Sequence, residues 1–336
     1  MSDRLIFATQ VVDPRDPVLG ATVAKLAALA ARVDELVVLA DRAVDGALPE
    51  NCRVHRFAAA SSASRARRFV AALEDELSPR PLAFVAHMVP RYAILAAPLV
   101  RPRRLPLLLW FTHWKRSRTL VLAERLATGI LTVDERSFPL RSGKLAAIGH
   151  GIDVAAFPCT ERAPGAELRA VALGRISPAK GYETIAEAAR LAGARFELYG
   201  SAATAEEKGE RERLLSLGVD VHDPVPYDDV PSLLARNDVL VNNMREGALD
   251  KIVYEAAATC MPVLASNVGF DDILPPELRF DRTDPADLAE KLRGVAAVDR
   301  NALGRELRTR VEARHSVDHW ADGVLSAARR GPEARS

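Results

Sequence analysis

Charged side chains between residues 245 and 258 form a pattern that suits a nucleotide diphosphate. The run from Arg245 to Ala258 predicts a loop that opens a helix, with Glu255 one to two turns inside it. Unpaired amides at a helix start attract an anion, and a carboxylate further along can accept hydrogen bonds from a sugar's vicinal hydroxyls. Strand-loop-helix units occur in every α/β protein, so this segment alone does not establish a phosphate site.

A second loop places two cations together. The apolar run Val171 to Leu173 is followed by Arg175 and Lys180 and then by a helical pattern. Arginine offers a planar fork to paired oxygens and lysine a point charge, so the two could hold a leaving phosphate as its charge develops. The alternative is that both simply solvate a helix start.

Taken together, these motifs resemble the donor-binding half of the family 4 glycosyltransferases, which have the GT-B fold. The resemblance covers most of the C-terminal half, and the N-terminal half mainly by its layout. The residues that carry it are Gly174-Arg175, Lys180-Gly181, Glu246 through Glu255, Pro262 through Ser266, and Ile148 through Asp153 with Phe157.

The resemblance implies an α/β protein with two Rossmann-like, doubly wound domains that face a central cleft. We expect an acceptor-binding domain over residues 1–160 and a nucleotide-sugar donor domain over residues 161–315. Pro158 to Leu168, with Pro164-Gly165, is the expected linker. A terminal helix within residues 316–336 is expected to pack back on the first domain.

Short buried strands separated by helical patterns support this layout. The predicted strands are Leu5–Ala8, Glu35–Ala40, Arg53–Phe57, Leu82–His87, Pro106–Thr112 and Gly129–Val133, then Arg169–Leu173, Phe196–Tyr199, Val219–Val221, Val239–Val241 and Val263–Ala265.

By the same resemblance, the activity is transfer of a sugar from a nucleotide diphosphate, such as a UDP- or GDP-sugar, with retention of anomeric configuration. The expected acceptor is a hydroxyl of a glycan, a lipid-linked sugar or a small molecule. The implied catalytic residues are Arg175, Lys180, Glu246 and His113. The implied donor-binding residues are Gly20, Gly174, Gly200, Leu249, Asp250, Lys251 and Glu255.

The chain departs from the family pattern in its acidic motif. Glu246 and Glu255 are separated by one residue more than the family's two glutamates, and Ala248 to Lys251 replace the usual aromatic-glycine pair. Glu255 keeps the expected ribose-binding role. The first acidic role is open between Glu246 and Asp250.

The sequence argues against a metal-dependent donor site and against a dinucleotide oxidoreductase. No Asp-x-Asp triplet occurs, so neither a metal nor another cofactor is expected. No Gly-x-Gly-x-x-Gly follows the first strand, which argues against a dinucleotide oxidoreductase. The remaining alternatives are a sugar-nucleotide epimerase on the same fold, which would need no acceptor, and a non-catalytic sugar-nucleotide-binding partner of another transferase.

A cytoplasmic location is expected. No stretch approaches the roughly 20 apolar residues that span a bilayer, and the N-terminus leads directly into a strand without a signal peptide. Cys52, Cys159 and Cys260 are odd in number, scattered, and without metal or redox spacing. A reducing compartment follows from that distribution.

Charge is distributed unevenly between the halves, although the net charge is only +1. Residues 1–160 carry 22 Lys and Arg against 15 Asp and Glu, whereas residues 161–336 carry 24 against 30. Between Glu76 and Glu124 there is no acidic residue. The pattern suggests peripheral contact with an anionic membrane, or a phosphate-bearing acceptor, and no nucleic-acid partner. The cations in this interval are Arg80, Arg91, Arg101, Arg103, Arg104, Lys115, Arg116 and Arg118.

Overall fold

The computed structural model of the protein describes residues 3–163, 165 and 167–330. The chain divides into two compact units. The first contains the described residues up to Gly151 together with those from Ser316 onward, and the second runs from Ile152 to His315. Pro164 of the expected linker and residues 331–336 of the expected terminal helix lie outside the described residues.

The first unit is built on a parallel sheet with the order β3-β2-β1-β4-β5-β6-β7. Its strands are β1 (Arg4–Val12), β2 (Glu35–Ala43), β3 (Cys52–Arg56), β4 (Phe84–His87), β5 (Leu107–Trp110), β6 (Gly129–Thr132) and β7 (Leu145–Ala147).

The second unit is built on a smaller parallel sheet with the order β10-β9-β8-β11-β12. Its strands are β8 (Arg169–Leu173), β9 (Arg195–Tyr199), β10 (Asp220–His222), β11 (Val239–Asn242) and β12 (Val263–Ala265).

Helices connect the strands of both sheets and extend beyond the last one. In chain order they are α1 (Ala21–Ala30), α2 (Ser62–Asp75), α3 (Pro90–Val100), α4 (Arg118–Leu126), α5 (Tyr182–Ala192), α6 (Ala205–Ser216), α7 (Val230–Ala235), α8 (Lys251–Ala258), α9 (Pro285–Ala297), α10 (Arg300–His315) and α11 (Val317–Arg330).

Every strand predicted from the sequence is present, within a few residues at its ends. The central strands are buried on both faces, which explains why they read as continuous apolar runs rather than as alternating ones. The sequence did not predict β7, because Leu145–Ala147 is a short edge strand whose residues are only partly buried.

In each sheet the strand order reverses beside one strand, where ligands of doubly wound proteins usually bind. In the first unit β1 lies between β2 and β4, and in the second unit β8 lies between β9 and β11. Because all strands of a sheet are parallel, the loops after β1 and β4 leave from one edge, as do the loops after β8 and β11.

At this point in the first unit, side chains fill the carboxyl edge of the sheet. The imidazole of His87 stacks on the indole of Trp110 at 5.1 Å, and the ammonium of Lys25 lies 4.2 Å from the centre of the same indole. All three side chains are buried. Gly151 closes over them at φ +76°, and a Cβ there would lie 2.7 Å from Lys25 Cε. Glycine is therefore required at this position.

The last described helix, α11, completes the first unit. Its Trp320 is fully buried, with its ring 6.3 Å from that of Trp110. At the exposed rim, Arg32 donates to Asp318 at 2.8 Å and to Asp322 at 2.7 Å. Because exposed ion pairs contribute little, burial of the apolar face of α11, which includes Trp320, Val324 and Leu325, is the main contribution that holds the helix in place.

The cysteines differ from the sequence-based expectation, because Cys159 and Cys260 form a disulfide within the second unit. Their separation of 101 residues hides the pairing in the sequence. The disulfide removes the argument that the scattered cysteines gave for a reducing compartment. The cytoplasmic location stays a prediction. Cys52 is a free thiol, and burial raises its pKa to about 11.

We predict that His87 makes stability depend on pH. Burial, together with the charge of Lys25, holds the pKa of His87 well below its usual value. Below about pH 6.5 the unfolded chain binds a proton that the native state does not, so stability falls as pH falls, by up to about 1.4 kcal/mol per pH unit. Denaturant unfolding of the parent and a His87→Phe variant between pH 5 and 7.5 should show a shallower slope for the variant. Equal slopes would contradict the assignment.

Candidate functional site

A polar cluster lies at the carboxyl edge of the second sheet, where β8 and β11 are neighbours. Lys180, in the loop after β8, forms an ion pair with Asp250, in the loop after β11. Asn242, the last residue of β11, donates its side-chain amide to the same carboxylate oxygen, Oδ2, at 2.8 Å. Two loops that lie far apart in the sequence are thereby joined at the position where a ligand would bind.

Close backbone packing brings the loops after β8 and β9 together. A Cβ on Gly200 would lie only 2.0 Å from the carbonyl oxygen of Gly174, so any other residue would force the two loops apart. Gly174 itself has φ +140°, and a Cβ on it would lie 3.0 Å from Lys180 Nζ. Glycine is therefore required at both positions. The ammonium of Lys180 lies directly beside the backbone at Gly174.

Hydrogen bonds from the side chains of Asn243 and Arg282 fix the loop that carries Lys180. Arg282 donates to the carbonyl of Ala179 at 3.0 Å and to that of Asn243 at 3.2 Å. Asn243 donates to the carbonyl of Gly181 at 3.1 Å. Because these bonds hold the backbone on both sides of Lys180, the ammonium is presented by a constrained loop rather than by a mobile one.

A second polar group lies on helix α8, whose first residue is Lys251. The ammonium of Lys251 is 2.7 Å from Glu255 Oε1, four residues along the helix. The hydroxyl of Tyr227 donates to the same oxygen at 2.7 Å, and Lys251 Nζ lies 3.8 Å from the centre of the Tyr227 ring. These contacts fix the orientation of the Glu255 carboxylate, whose residue is only 2% exposed.

Burial next to Glu255 also affects Tyr227. Desolvation first, and then the negative charge of Glu255, raise the pKa of Tyr227. The phenol therefore remains protonated at neutral pH and acts as a hydrogen-bond donor. Its ring is also close to that of Phe157, with 6.1 Å between the centroids, which packs the segment after Ile152 against this part of the second unit.

Three other residues predicted for this site have different surroundings. The side chain of Arg175 is 68% exposed, and its guanidinium lies 4.0 Å from Glu207 rather than beside Lys180. Glu246 is exposed, without a hydrogen bond or ion pair among the described residues. Leu249 is buried, and a Cβ on Gly269 would meet its side chain at 2.7 Å, so it packs the loop rather than facing solvent.

The two predicted residues of the first unit lie at the carboxyl edge of their own sheet. Gly20 immediately precedes α1, as expected. His113 follows β5 in a loop, where its backbone N–H donates to the carbonyl of Ser137 at 3.1 Å and its Nδ1 accepts from the backbone N–H of Lys115 at 2.9 Å.

Sequence reasoning missed two residues of the second unit's cluster. Asn242 had a usable signal, since a polar residue directly after the apolar run Val239–Val241 falls at the carboxyl end of a buried strand. Tyr227 had none. It lies in a short helical turn, Tyr227–Asp229, and only the tertiary structure brings it to Glu255. Among the described residues, no group of three or more His, Cys, Asp or Glu could hold a metal ion.

Residues 180–326 match the family model described as glycosyl transferase-like. The matched region begins at Lys180 and includes Asn242, Asp250, Lys251 and Glu255. No curated protein sequence matches the chain significantly.

The whole chain is similar to several solved structures. Sucrose-phosphate synthase from Thermosynechococcus elongatus matches with a TM-score of 0.79 and 17% identity over 98% of both chains. Anabaena HepE, solved with UDP and glucose, matches with a TM-score of 0.74 and 16% identity over 96% of this chain and 98% of its own. The lipopolysaccharide-biosynthesis glycosyltransferase WaaG matches with a TM-score of 0.66 and 14% identity over 97% of this chain and 100% of its own. The predicted GT-B fold with Rossmann-like domains is confirmed.

We predict that Lys251 and Glu255 stabilise the second unit as a pair. Lys251→Met should leave a buried carboxylate without its cation and lower the free energy of unfolding by about 3 kcal/mol. The Lys251→Met, Glu255→Gln double variant should recover part of that loss, because no unpaired charge remains. Denaturant unfolding of the parent, both single variants and the double variant gives the coupling energy. Strictly additive losses would show that the pair is not coupled.

Proposed function

We propose that the protein is a glycosyltransferase that transfers a sugar from a nucleotide diphosphate to an acceptor hydroxyl. The observation that carries the proposal is the Lys180–Asp250–Asn242 cluster at the point where the second sheet reverses its strand order. Support comes from the glycosyl transferase-like match over residues 180–326 and from the GT-B fold, one example of which was solved with UDP and glucose.

In this proposal, Lys180 stabilises the departing diphosphate. Its side chain is 12% exposed and is held by a constrained loop, so little reorganisation is needed when negative charge develops on the leaving oxygen. Arg175 reaches the diphosphate by turning its exposed side chain away from Glu207, which it meets only at 4.0 Å. The leaving oxygen accepts the acceptor's proton, and the anomeric configuration is retained. No metal takes part.

We assign the ribose to Glu255 and the first acidic role to Asp250. Glu255 Oε1 is held by Lys251 and Tyr227, which fixes the carboxylate in one orientation for the sugar hydroxyls. Asp250 pairs with Lys180 and Asn242, whereas Glu246 is exposed and has no such partner among the described residues. In this assignment, Asp250 orients the cation that acts on the diphosphate.

A ligand screen that identifies the donor, followed by turnover measurements, tests this proposal. A thermal-shift screen with UDP-, GDP- and ADP-sugars should identify the donor, since a ligand at 100 times its dissociation constant stabilises by about 2.7 kcal/mol. With that donor, Lys180→Ala should lower turnover at least about 100-fold, the order expected for loss of one charge-stabilising group. Arg175→Ala should act in the same direction.

Lys208→Ala serves as the matched control, because Lys208 is an exposed lysine on α6. Asp250→Asn and Glu246→Gln, measured in the same assay, decide the first acidic role, and only the former should impair transfer strongly. Near-normal turnover in both Lys180→Ala and Arg175→Ala would reject the assignment. Interconversion of the nucleotide sugar without an acceptor would identify an epimerase, and donor binding without turnover a non-catalytic partner.

The location of the acceptor domain's cations bears on membrane contact. In the described part of the chain, no helix is long and apolar enough to cross a bilayer. Arg80, Arg101, Arg103 and Arg104 are exposed at the amino-terminal edge of the first sheet, before β4 and β5. The guanidinium of Arg80 donates to the carbonyls of Arg103 and Arg104 at 2.6 and 3.1 Å, which gathers the group into one surface. We assign this amino-edge arginine group to peripheral contact with anionic lipids.

We predict that the amino-edge group binds anionic vesicles. Each cation near such a surface contributes about 1 kcal/mol, so replacing Arg101, Arg103 and Arg104 by Glu should abolish flotation with phosphatidylglycerol vesicles at low salt. Binding by the parent should weaken as salt rises. Glu substitutions at Lys115, Arg116 and Arg118 are the matched control and should retain flotation. If the parent does not float at low salt, the membrane assignment is wrong.

A further inference from the structure

The eight cations between Glu76 and Glu124 do not form one patch: seven fall into two groups, and the eighth, Arg91, lies in α3, after β4. The amino-edge arginine group precedes β4 and β5, whereas Lys115, Arg116 and Arg118 follow β5, at the opposite, carboxyl edge of the sheet. Ligands of parallel α/β sheets bind at the carboxyl edge. The two groups of charge therefore face different surroundings, and only the second lies at the edge that binds ligands.

The segment from Thr112 to Arg118, here called the β5–α4 loop, carries Lys115 and Arg116 and ends at Arg118, the first residue of α4. All three are exposed, and none forms an ion pair with a carboxylate of the described residues. Of the carboxylates on the following elements, Glu124 accepts from Ser142 and Asp134 pairs with Arg136, whereas Glu135 is exposed. Three exposed cations that have no ion-pair partner among the described residues thus lie within four consecutive positions, an arrangement that attracts anions.

Two aromatic rings precede the cations in the same loop. The imidazole of His113 stacks on the indole of Trp114, with 5.5 Å between the centroids and 19° between the planes. Both residues are half-buried. The loop is anchored on one side by the His113 N–H to the Ser137 carbonyl, and on the other by Ser117 Oγ, which accepts from Leu120 N at the start of α4. A preorganised aromatic surface is thus held beside the cations.

An aromatic ring and adjacent cations match the two parts of an acidic sugar. The flat indole offers apolar area to the C–H face of a sugar ring, and arginine presents a fork that suits a phosphate or a carboxylate. A neutral sugar would use only the aromatic part. A free phosphate would use only the cations.

We infer that the β5–α4 loop binds an anionic saccharide, a sugar bearing a phosphate or carboxylate, as the acceptor. The inference rests on the proposed glycosyltransferase function and names its acceptor class. Trp114 contacts the sugar ring, and Lys115, Arg116 and Arg118 neutralise the acidic substituent. The cations at the carboxyl edge of the first sheet therefore match the negative charge of the acceptor. The amino-edge arginine group plays no part in acceptor binding.

Tryptophan fluorescence tests this inference without requiring turnover. Trp110 and Trp320 are buried, so Trp114 is the tryptophan that an added ligand can reach, and a Trp114→Phe variant identifies its signal. The probes are glucose 6-phosphate and glucuronate, with glucose as the neutral parent. We expect both acids to perturb the fluorescence with dissociation constants at least about tenfold below that of glucose.

Matched triple variants separate this site from general positive charge. Alanine at Lys115, Arg116 and Arg118 should remove the preference for the acids, and 0.5 M NaCl should weaken it in the parent. Alanine at Arg101, Arg103 and Arg104 removes the same number of charges from the same unit and should leave it unchanged. Circular dichroism and thermal unfolding check that both variants fold.

Three outcomes would overturn the inference. Glucose could bind as tightly as the acids, both triple variants could lose the preference equally, or none of the probes could act through Trp114. If one of these occurs while Lys180→Ala still abolishes transfer to a neutral acceptor, the proposed function stands and the acceptor class is wrong. If acid binding is as expected but no nucleotide sugar binds, the proposed function fails instead.

Discussion

The ion pair between Lys180 and Asp250 is the interaction on which the arrangement of the second unit's candidate site depends. It joins the loops after β8 and β11, which meet because those strands are parallel neighbours. Asp250 neutralises the lysine and, with Asn242, sets its position. In the proposed function, this arrangement presents to the diphosphate a cation that folding has already oriented, so little further ordering is needed. The contact of Gly200 with Gly174 gives the loops the close approach this requires.

The first sheet is also parallel, but its carboxyl edge is used differently. There the strand reversal beside β1 and β4 is filled by His87, Lys25 and Trp110, under Trp320 of α11. These side chains are buried, so the centre of that edge is part of the core. Ligand contacts must then come from loops at its rim. The β5–α4 loop is such a rim element, so the acceptor site inferred there is compatible with a carboxyl edge whose centre is packed.

The fold was largely predictable because it depends on local patterns. Among the described residues, short strand-like segments between helical patterns marked every strand except β7. The loop with Arg175 and Lys180 fell at a strand end, and Glu255 fell in the following helix of its own unit, α8. The contacts of the site were not predictable to the same degree. Tyr227 reaches Glu255, and Cys159 reaches Cys260, only through tertiary structure that no local spacing encodes. Likewise, the run of cations after Glu76 looked continuous in sequence, although β4 and β5 carry its members to opposite edges of a sheet.

The unusual acidic motif has a geometric explanation in helix α8. Lys251 and Glu255 are four residues apart, so they share one face of the helix and meet as a buried pair. Asp250 precedes the first turn and faces the loop that carries Lys180. The additional residue between Glu246 and Glu255 leaves Glu246 in the exposed part of the loop, while Asp250 takes the position beside the cation. An acidic group at the helix start is also favoured by the helix dipole. This geometry supports the proposed assignment of the first acidic role to Asp250 rather than to Glu246.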